Sequence, residues 1–358
     1  METSDSSKKY FTKRLTAWHQ TDNDRSLPWK SEKDPYKIWL SEVILQQTRA
    51  LQGLPYYLRF VEAFPTIKDM AAANDDDAFR LWQGLGYYNR CKNMLNTARF
   101  ITNDLNGTFP DTYEGLLALK GIGPYTAAAV ASFAYGAPNA VVDGNVYRVL
   151  ARYFGIEEPF DTTKGKKVFA LLAQELLDKK DSAAYNQAIM DLGATVCTPR
   201  NPSCNDCPLQ KKCVAFEQGL TGLLPVKSKK TIVKKRYFNY LLLQWKDTIW
   251  VHKRTGNDIW QNLHEPFLIE SEAPLDANEV LSHELFKKEA FIHKDISYTG
   301  EVSQRLTHRI IESRFFIVPL LKKTDISDKE GKWLSINNLK KTAFPKTFLS
   351  FLEKKLYF

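Results

Sequence analysis

The chain has 358 residues, of which 44% are hydrophobic and 13% aromatic, and carries a formal net charge of +9. That length suits about two domains with separate cores, and the composition excludes a disordered chain. No apolar run approaches the ~20 residues a membrane helix needs. The opening METSDSSKKYFTKRL lacks the apolar centre of a secretory signal, so a cytoplasmic protein in a reducing compartment, with no membrane partner, is expected. The positive balance favours a polyanionic partner.

From about residue 8 to 217 the pattern is helical. YKIWLSEVILQQTRA predicts an apolar helix with one polar stripe, Glu42, Gln46 and Arg49 recurring at i, i+4 and i+7. Glu42, beside Val43, Ile44 and Leu45, is then either a solvated glutamate or a general acid whose pKa rises by desolvation. DDDAFRLWQGLG runs into a glycine stop, and the lone Cys91 reads as an ordinary buried thiol. DTYEGLLALKGIGPYTAAAVASFAYG predicts helix, tight hairpin, helix. Gly121 and Gly123 permit the turn, and the N–H groups opening the second helix suit a phosphate oxygen. In VVDGNVYRVL a strand-like stretch meets a helix at Asp143, which reads as an N-cap.

Cys197, Cys204, Cys207 and Cys213 fall within 17 residues as C-x6-C-x2-C-x5-C. In a reducing compartment that crowding predicts a metal site, and zinc and an iron–sulfur cluster suit four thiolates equally. Residues 218–236, with Gly, Pro and Ser followed by a basic run, predict a linker. Beyond it RYFNYLLLQWKDTIWVHKR holds two strands around Lys246–Thr248, and RIIESRFFIVPL a third. LDANEVLSHELFKKE and KTFLSFLEKKL are helical, so this part is mixed α+β.

The hairpin, VVDGNVYRVL and the cysteine run together resemble the helix-hairpin-helix DNA glycosylases of the endonuclease III superfamily. LPWK at 27–30, SEVILQQT and GLGYYNRCKN are similar to the MutY-type adenine DNA glycosylases within it. The resemblance implies that Glu42 protonates adenine at N7. It implies that Asp143 stabilises the oxocarbenium-like sugar, or attacks it to form a transient adduct, with Tyr125 and Asn145 assisting. Strand-cutting relatives carry a nucleophilic lysine where this chain has Tyr125, and Lys120 is out of register, so base removal without strand cleavage is expected. Adenine must leave the duplex to react. Gln47 and Tyr87 then fill the vacated stack, Thr48, Leu85, Gly121 and Gly123 join the DNA face, and Gln187 faces the flipped base. The four cysteines match the family's [4Fe–4S] loop, which here carries Arg200, Lys211 and Lys212 toward DNA phosphates.

GNDIWQNLHEPFLIE and QRLTHRIIESRFF resemble the family's Nudix-like C-terminal domain, which reads 8-oxoguanine opposite the adenine. The Nudix hydrolase signature is absent. Leu306, Thr307 and His308 stand where the family has Phe-Ser-His, and Thr keeps the hydroxyl. Thr307 and His308 are therefore the expected lesion contacts. HEPF departs from the family's usual order of Phe and Pro.

The expected architecture is multidomain. An all-α glycosylase core with a [4Fe–4S] loop spans 1–217, a linker 218–236, and an α+β Nudix-like domain 237–358. The expected enzyme is a monomeric, nucleoid-associated adenine DNA glycosylase acting on A:8-oxoguanine or A:G mispairs in double-stranded DNA. Its rivals are a pyrimidine glycosylase and AP lyase of the endonuclease III type, disfavoured by Tyr125 and Glu42, and a non-catalytic cluster-bearing DNA-binding protein, which has no use for Glu42 and Asp143.

Overall fold

The structure, a computed structural model, describes residues 5–228, 233–324, 326–327 and 330–355. The helices in order are α1 (Asp5–Thr21), α2 (Pro35–Leu45), α3 (Ala50–Ala63), α4 (Ile67–Ala72), α5 (Asp75–Trp82), α6 (Asn89–Asp104), α7 (Tyr113–Leu117), α8 (Pro124–Tyr135), α9 (Gly144–Phe154), α10 (Thr163–Leu176), α11 (Ser182–Thr195) and α12 (Val214–Glu217). Among the described residues no helix is long and apolar enough to cross a membrane. The chain divides into two compact units, residues 1–71 with 96–230 and residues 72–95 with 231–358.

In the first unit the helix starts follow the capping chemistry of the sequence. Asp34 accepts from the Tyr36 N–H, Thr112 from Gly115, Thr162 from Gly165 and Asp181 from Ala184, each satisfying a donor that the first helical turn leaves free. Gly136 and Gly155 close α8 and α9 in the left-handed conformation. The expected helix over 36–50 differs. It ends at Leu45, and Gln47 turns out of it with φ of +55°. Gln46 and Arg49 therefore form no helical stripe with Glu42. From Tyr36 to Ile44 every residue of α2 except Lys37 is buried, Glu42 among them. The small side chains of α8, with Ala127 to Ala129 buried, let α2 pack closely upon it.

The core around α9 joins Val146, Val149, Leu150 and Tyr153 to Phe11 of α1, Phe169 of α10, and Ile189 and Leu192 of α11. Burying each large side chain contributes about 2–3 kcal/mol. Gly193 has a packing reason, because a Cβ there would stand 2.7 Å from the Asn145 Cβ. Its absence lets α11 lie directly against the first turn of α9.

The second unit is built on a sheet of β1 (Lys234–Trp245), β2 (Thr248–Lys253), β3 (His264–Glu265), β4 (Phe267–Ser271), β5 (Ser297–Arg305), β6 (Arg309–Pro319) and β7 (Gly331–Ser335). The order runs β3-β2-β1-β6-β5, with β4 pairing β1 and β7 pairing β2. Only β1 and β6 are parallel, Lys234 opposite Arg309 through to Gln244 opposite Pro319. The β1–β2 hairpin turns at Lys246–Asp247 as expected. The segment expected to be one helix over 275–289 is two, α13 (Ala277–Ser282) and α14 (Glu284–Lys288), because His283 leaves the helical conformation. α15 (Ile336–Leu339) and α16 (Lys346–Lys355) complete the unit, α16 packing on β5. Of the linker expected over 218–236, residues 229–232 lie outside the described residues. Lys234 to Arg236 already pair with β6, and Arg236 is held by Asp258 and Glu270.

A charged group lies inside the first unit. Asp191 of α11 is fully buried and accepts from Arg25 at 2.6 Å, Lys30 at 2.5 Å and Asn23 at 2.8 Å. The two cations retain 28% and 16% exposure, so they stay partly solvated if the anion is lost. Removing one member of a buried pair costs more than the pair itself contributes. Asp191→Ala is expected to destabilise the protein by about 2 kcal/mol, toward the low end for such a loss. Urea unfolding checks this through the transition midpoint.

Candidate active site

Two carboxyl groups in the first unit are drawn out of water. Glu42, on α2, is 4% exposed and surrounded by apolar neighbours. Burial pushes its pKa up to about 7, with the Asp143 charge adding to the rise. Among the described residues its side chain accepts a hydrogen bond from the hydroxyl of Tyr125, which donates to Oε2 at 2.5 Å. Tyr125 lies in the first turn of α8, directly after the hairpin, and burial beside two carboxylates lifts its own pKa well above the usual value. Near neutrality Glu42 therefore divides between an acid that can deliver a proton and its conjugate base.

Asp143 is the N-cap of α9, as its position in VVDGNVYRVL predicts. Oδ1 accepts the N–H groups of Asn145 and Val146, both at 2.8 Å, and Oδ2 accepts the Asn145 amide at 2.6 Å. Burial raises its pKa, and those three donors and Arg148 oppose the rise by favouring the ionised form. The two carboxyls are thus differently supplied. Glu42 has one hydroxyl donor, whereas Asp143 has three N–H donors at a helix N-terminus. That asymmetry suits one acid and one carboxylate.

Asn145 is held in turn. Its Oδ1 accepts Arg148 at 2.8 Å, and the same guanidinium donates to the carbonyls of Gly193 at 2.6 Å and Cys197 at 2.7 Å. One turn later Arg152, 3% exposed, donates to the carbonyls of Thr198, Pro199 and Leu224 and to Cys197 Sγ at 3.4 Å. Two arginines at i and i+4 on one face of α9 thereby fasten the Asp143 end of the helix to the four-cysteine loop. Neither is among the residues expected from the sequence, although their spacing and the basic side chains in an apolar helix are a readable signal.

Cys197, Cys204, Cys207 and Cys213 are free thiols of intermediate exposure. They line a common small cavity, together with Arg152 and Phe216. Burial pushes the Cys207 thiol up to about 12 and raises those of Cys204 and Cys213. Among the described residues no three His, Cys, Asp or Glu side chains converge closely enough to hold a single metal ion. Arg200, Lys211 and Lys212 are exposed around the loop, Lys212 over the Tyr10 ring. Cys91 is fully buried.

Of the expected DNA-facing residues of the first unit, Gln47 and Gly121 are exposed, while Thr48, Gly123 and Gln187 are half-buried. Gly121 adopts φ of +78°, which the hairpin turn requires. Gln187 lies one helical turn before Asp191 on α11.

In the second unit Tyr87 is 47% exposed, with φ of +49°, and Leu85 is buried. Their loop is braced: Trp82 donates to the Gly86 carbonyl at 2.9 Å, and the Gly84 N–H donates to the Tyr88 hydroxyl at 3.2 Å. Gln47 and Tyr87, the two expected wedges, are both non-glycine residues in the left-handed region, where a side chain costs energy and functional sites concentrate. Thr307 and His308 sit exposed at the tip between β5 and β6, and the Tyr87 hydroxyl and Thr307 Oγ1 share a hydrogen bond. Behind the tip Asp258 accepts from Arg236, Arg254 and Arg309, at 2.7 to 3.1 Å.

Comparison with known proteins finds one family model for each of two stretches of the chain. Residues 40–176 match the model of the HhH-GPD superfamily base excision DNA repair proteins, and residues 239–354 match the NUDIX domain. The chain is 32% identical over 349 residues to an adenine DNA glycosylase of Buchnera aphidicola from Schizaphis graminum, covering 96% of this chain and 98% of that one. It is 40% identical to the adenine DNA glycosylase of Mus musculus over 60% of this chain and 43% of the relative. Among solved structures a thermostable thymine-DNA glycosylase is 30% identical, with a TM-score of 0.55, over 60% of this chain and 98% of that one.

Two outcomes follow from the geometry. The Tyr125 hydroxyl favours the ionised form of Glu42, so Tyr125→Phe raises the Glu42 pKa further. If Glu42 acts in its protonated form, activity falls as pH rises through about 7 in the parent, and the variant's alkaline limb moves to higher pH in single-turnover rate profiles. At Gln47, glycine removes the left-handed strain, so Gln47→Gly stabilises by up to about 1 kcal/mol in thermal unfolding.

Proposed function

This chain belongs to the adenine DNA glycosylases, base-excision repair enzymes that hydrolyse an N-glycosidic bond. On that premise we propose that it removes adenine opposite 8-oxoguanine or guanine in double-stranded DNA, leaving an abasic site without cutting the strand. The observation that carries this reading is the unequal support of its two carboxyls. Glu42 is buried with a single hydroxyl donor and a pKa of about 7, while Asp143 is held by three N–H donors.

Glu42 delivers its proton to adenine N7, so that the base leaves as a neutral molecule. Asp143 stabilises the positive charge that develops on the sugar, as the second carboxylate does at an O-glycoside, until water adds to C1′ and gives up a proton, leaving the abasic sugar. Asn145 fixes the direction of the Asp143 carboxylate, and Tyr125 orients Glu42. Tyr125 offers no amine for a Schiff base, so the strand remains intact. Gln47 and Tyr87 enter the stack when the adenine flips, with Thr48, Leu85 and the hairpin glycines Gly121 and Gly123 along the strand and Gln187 beside the extruded base. Thr307 and His308 contact the base opposite.

The donor set fits a [4Fe–4S] cluster. Four thiols line one shared cavity, one for each iron of such a cluster. Cys197, Cys204, Cys207 and Cys213 would hold the cluster, whose chemistry when bound is to tie the loop into one rigid piece. Arg152 donates to one of those sulfurs, and the loop presents Arg200, Lys211 and Lys212 to phosphate. We place the enzyme as a monomer acting at the nucleoid in the cytoplasm.

End-labelled duplexes carrying A opposite 8-oxoguanine, G or T, and thymine glycol opposite A, test the reading. Strand breaks are expected only after hot alkali and only where A faces 8-oxoguanine or G. Cutting at thymine glycol without alkali would overturn it. Glu42→Gln and Asp143→Asn are each expected to lower single-turnover excision by on the order of 10³-fold or more while duplex binding persists.

A further inference from the structure

Residues 72–95 lie within the stretch that matches the helical glycosylase family, yet in the fold they belong to the unit built on the sheet. Besides the Tyr87–Thr307 hydrogen bond, three side-chain ties account for this. Gln83 Oε1 accepts the backbone N–H of Phe344 at 3.1 Å. Asp76 pairs with Lys253 of β2 at 2.6 Å, and Lys92 donates to Gln261 at 3.1 Å. The Gln83 tie is the strongest of the three. Phe344 is fully buried against Phe348 and His264, and the neighbouring Ala343 carbonyl accepts the His264 N–H at 2.9 Å. A buried amide that loses its acceptor has no water to replace it. The Asp76–Lys253 pair, 48% and 34% exposed, is screened and holds less.

Gln83 is the residue that ends α5, and the chain from it runs directly through Gly84, Leu85 and Gly86 to Tyr87. The position of the Tyr87 ring therefore depends on where Gln83 is docked as well as on its own hydrogen bond to Thr307, and the same unit carries the 306–308 tip. We propose that residues 72–95 are an arm by which the partner-base reader holds its own wedge. In this arrangement Gln83, assisted by Asp76, is a positioning residue that sets discrimination between 8-oxoguanine and guanine opposite adenine. The proposal rests on reading 306–308 as the partner-base contact and Tyr87 as a wedge. Its logic is geometric. Contacts special to 8-oxoguanine accelerate excision only if tip and wedge reach the pair together, and a displacement of about 1 Å costs up to on the order of 10²-fold in rate. Opposite guanine those contacts are missing, so an undocked arm has little to lose.

The test uses the full-length, cluster-loaded protein in single-turnover excision of A opposite 8-oxoguanine and opposite G. Gln83→Met keeps the side-chain length and removes the acceptor. It is expected to slow the 8-oxoguanine substrate by about tenfold or more while the G substrate stays within about twofold. Gln83→Glu retains an acceptor oxygen and restores the parent ratio. Asp76→Asn, at an exposed pair, gives a smaller drop in the same direction and serves if Gln83→Met does not fold. Hydrogen exchange of the peptides holding Phe344 and residues 83–90 reports docking, and both are expected to exchange faster in Gln83→Met. An unchanged ratio despite faster exchange, or an equal loss on both substrates, overturns the proposal and leaves the glycosylase reading intact. A parent enzyme with no preference for 8-oxoguanine overturns the reading of the tip, and the proposal with it.

Discussion

The N-terminus of α9 is the constraint on which the first unit is organised. A carboxylate partly withdrawn from water needs donors, and the first turn of a helix offers N–H groups that have no partner within the helix. Asp143 joins these two needs, accepting from Asn145 and Val146, so the group that caps the helix is held with its second oxygen on the Asn145 side chain. Capping and chemistry are one arrangement here. The two backbone donors that start the helix cleanly, with the Asn145 amide, keep a carboxylate ionisable where desolvation pushes against it.

The other buried charges extend that arrangement outward. Arg148 reaches from Asn145 to Gly193 and Cys197, and Arg152 continues to the carbonyls around the cysteine loop. Each guanidinium has more donors than one acceptor can use, so it spans elements that come together only in the fold. Gly193 is the sterically required partner of this network, since any side chain would displace Asn145. The second unit uses the opposite device at Asp258, where one carboxylate gathers three arginines from β1, the end of β2 and the start of β6. That arrangement holds Arg309, the first residue of β6, directly after the Thr307–His308 tip.

Much of this was legible along the chain. Capping residues and glycine stops located α5, α7, α8 and α9 because those signals act within a few residues of the helix end. The turn at Lys246–Asp247, and the strands around it, followed from β-branched and aromatic runs. Less legible was the end of α2. The apolar pattern of 36–45 invited extension to Arg49, but the chain leaves the helix at Gln46, and the polar stripe it suggested does not exist. β5 was missed because SYTGEVSQR is a polar edge strand whose pairing, from Ser297–Ile317 to Arg305–Ile310, is dictated by its partner. The single helix expected over 275–289 failed at His283, where no glycine or proline announced a break.

The sequence by itself determined the residue types that chemistry requires and their local settings: an acid in an apolar helix, an acid at a helix cap, a hairpin with two glycines, and four cysteines in a short loop. Those are local properties, fixed by side-chain identity and backbone propensity over a turn or two. Only the tertiary structure decided that Glu42 is buried rather than solvated, that its donor is Tyr125 from 83 residues away, and that 72–95 joins the sheet unit. Burial and long-range hydrogen bonding depend on which surfaces meet, and a pKa near 7 for a glutamate is a property of that meeting rather than of the residue.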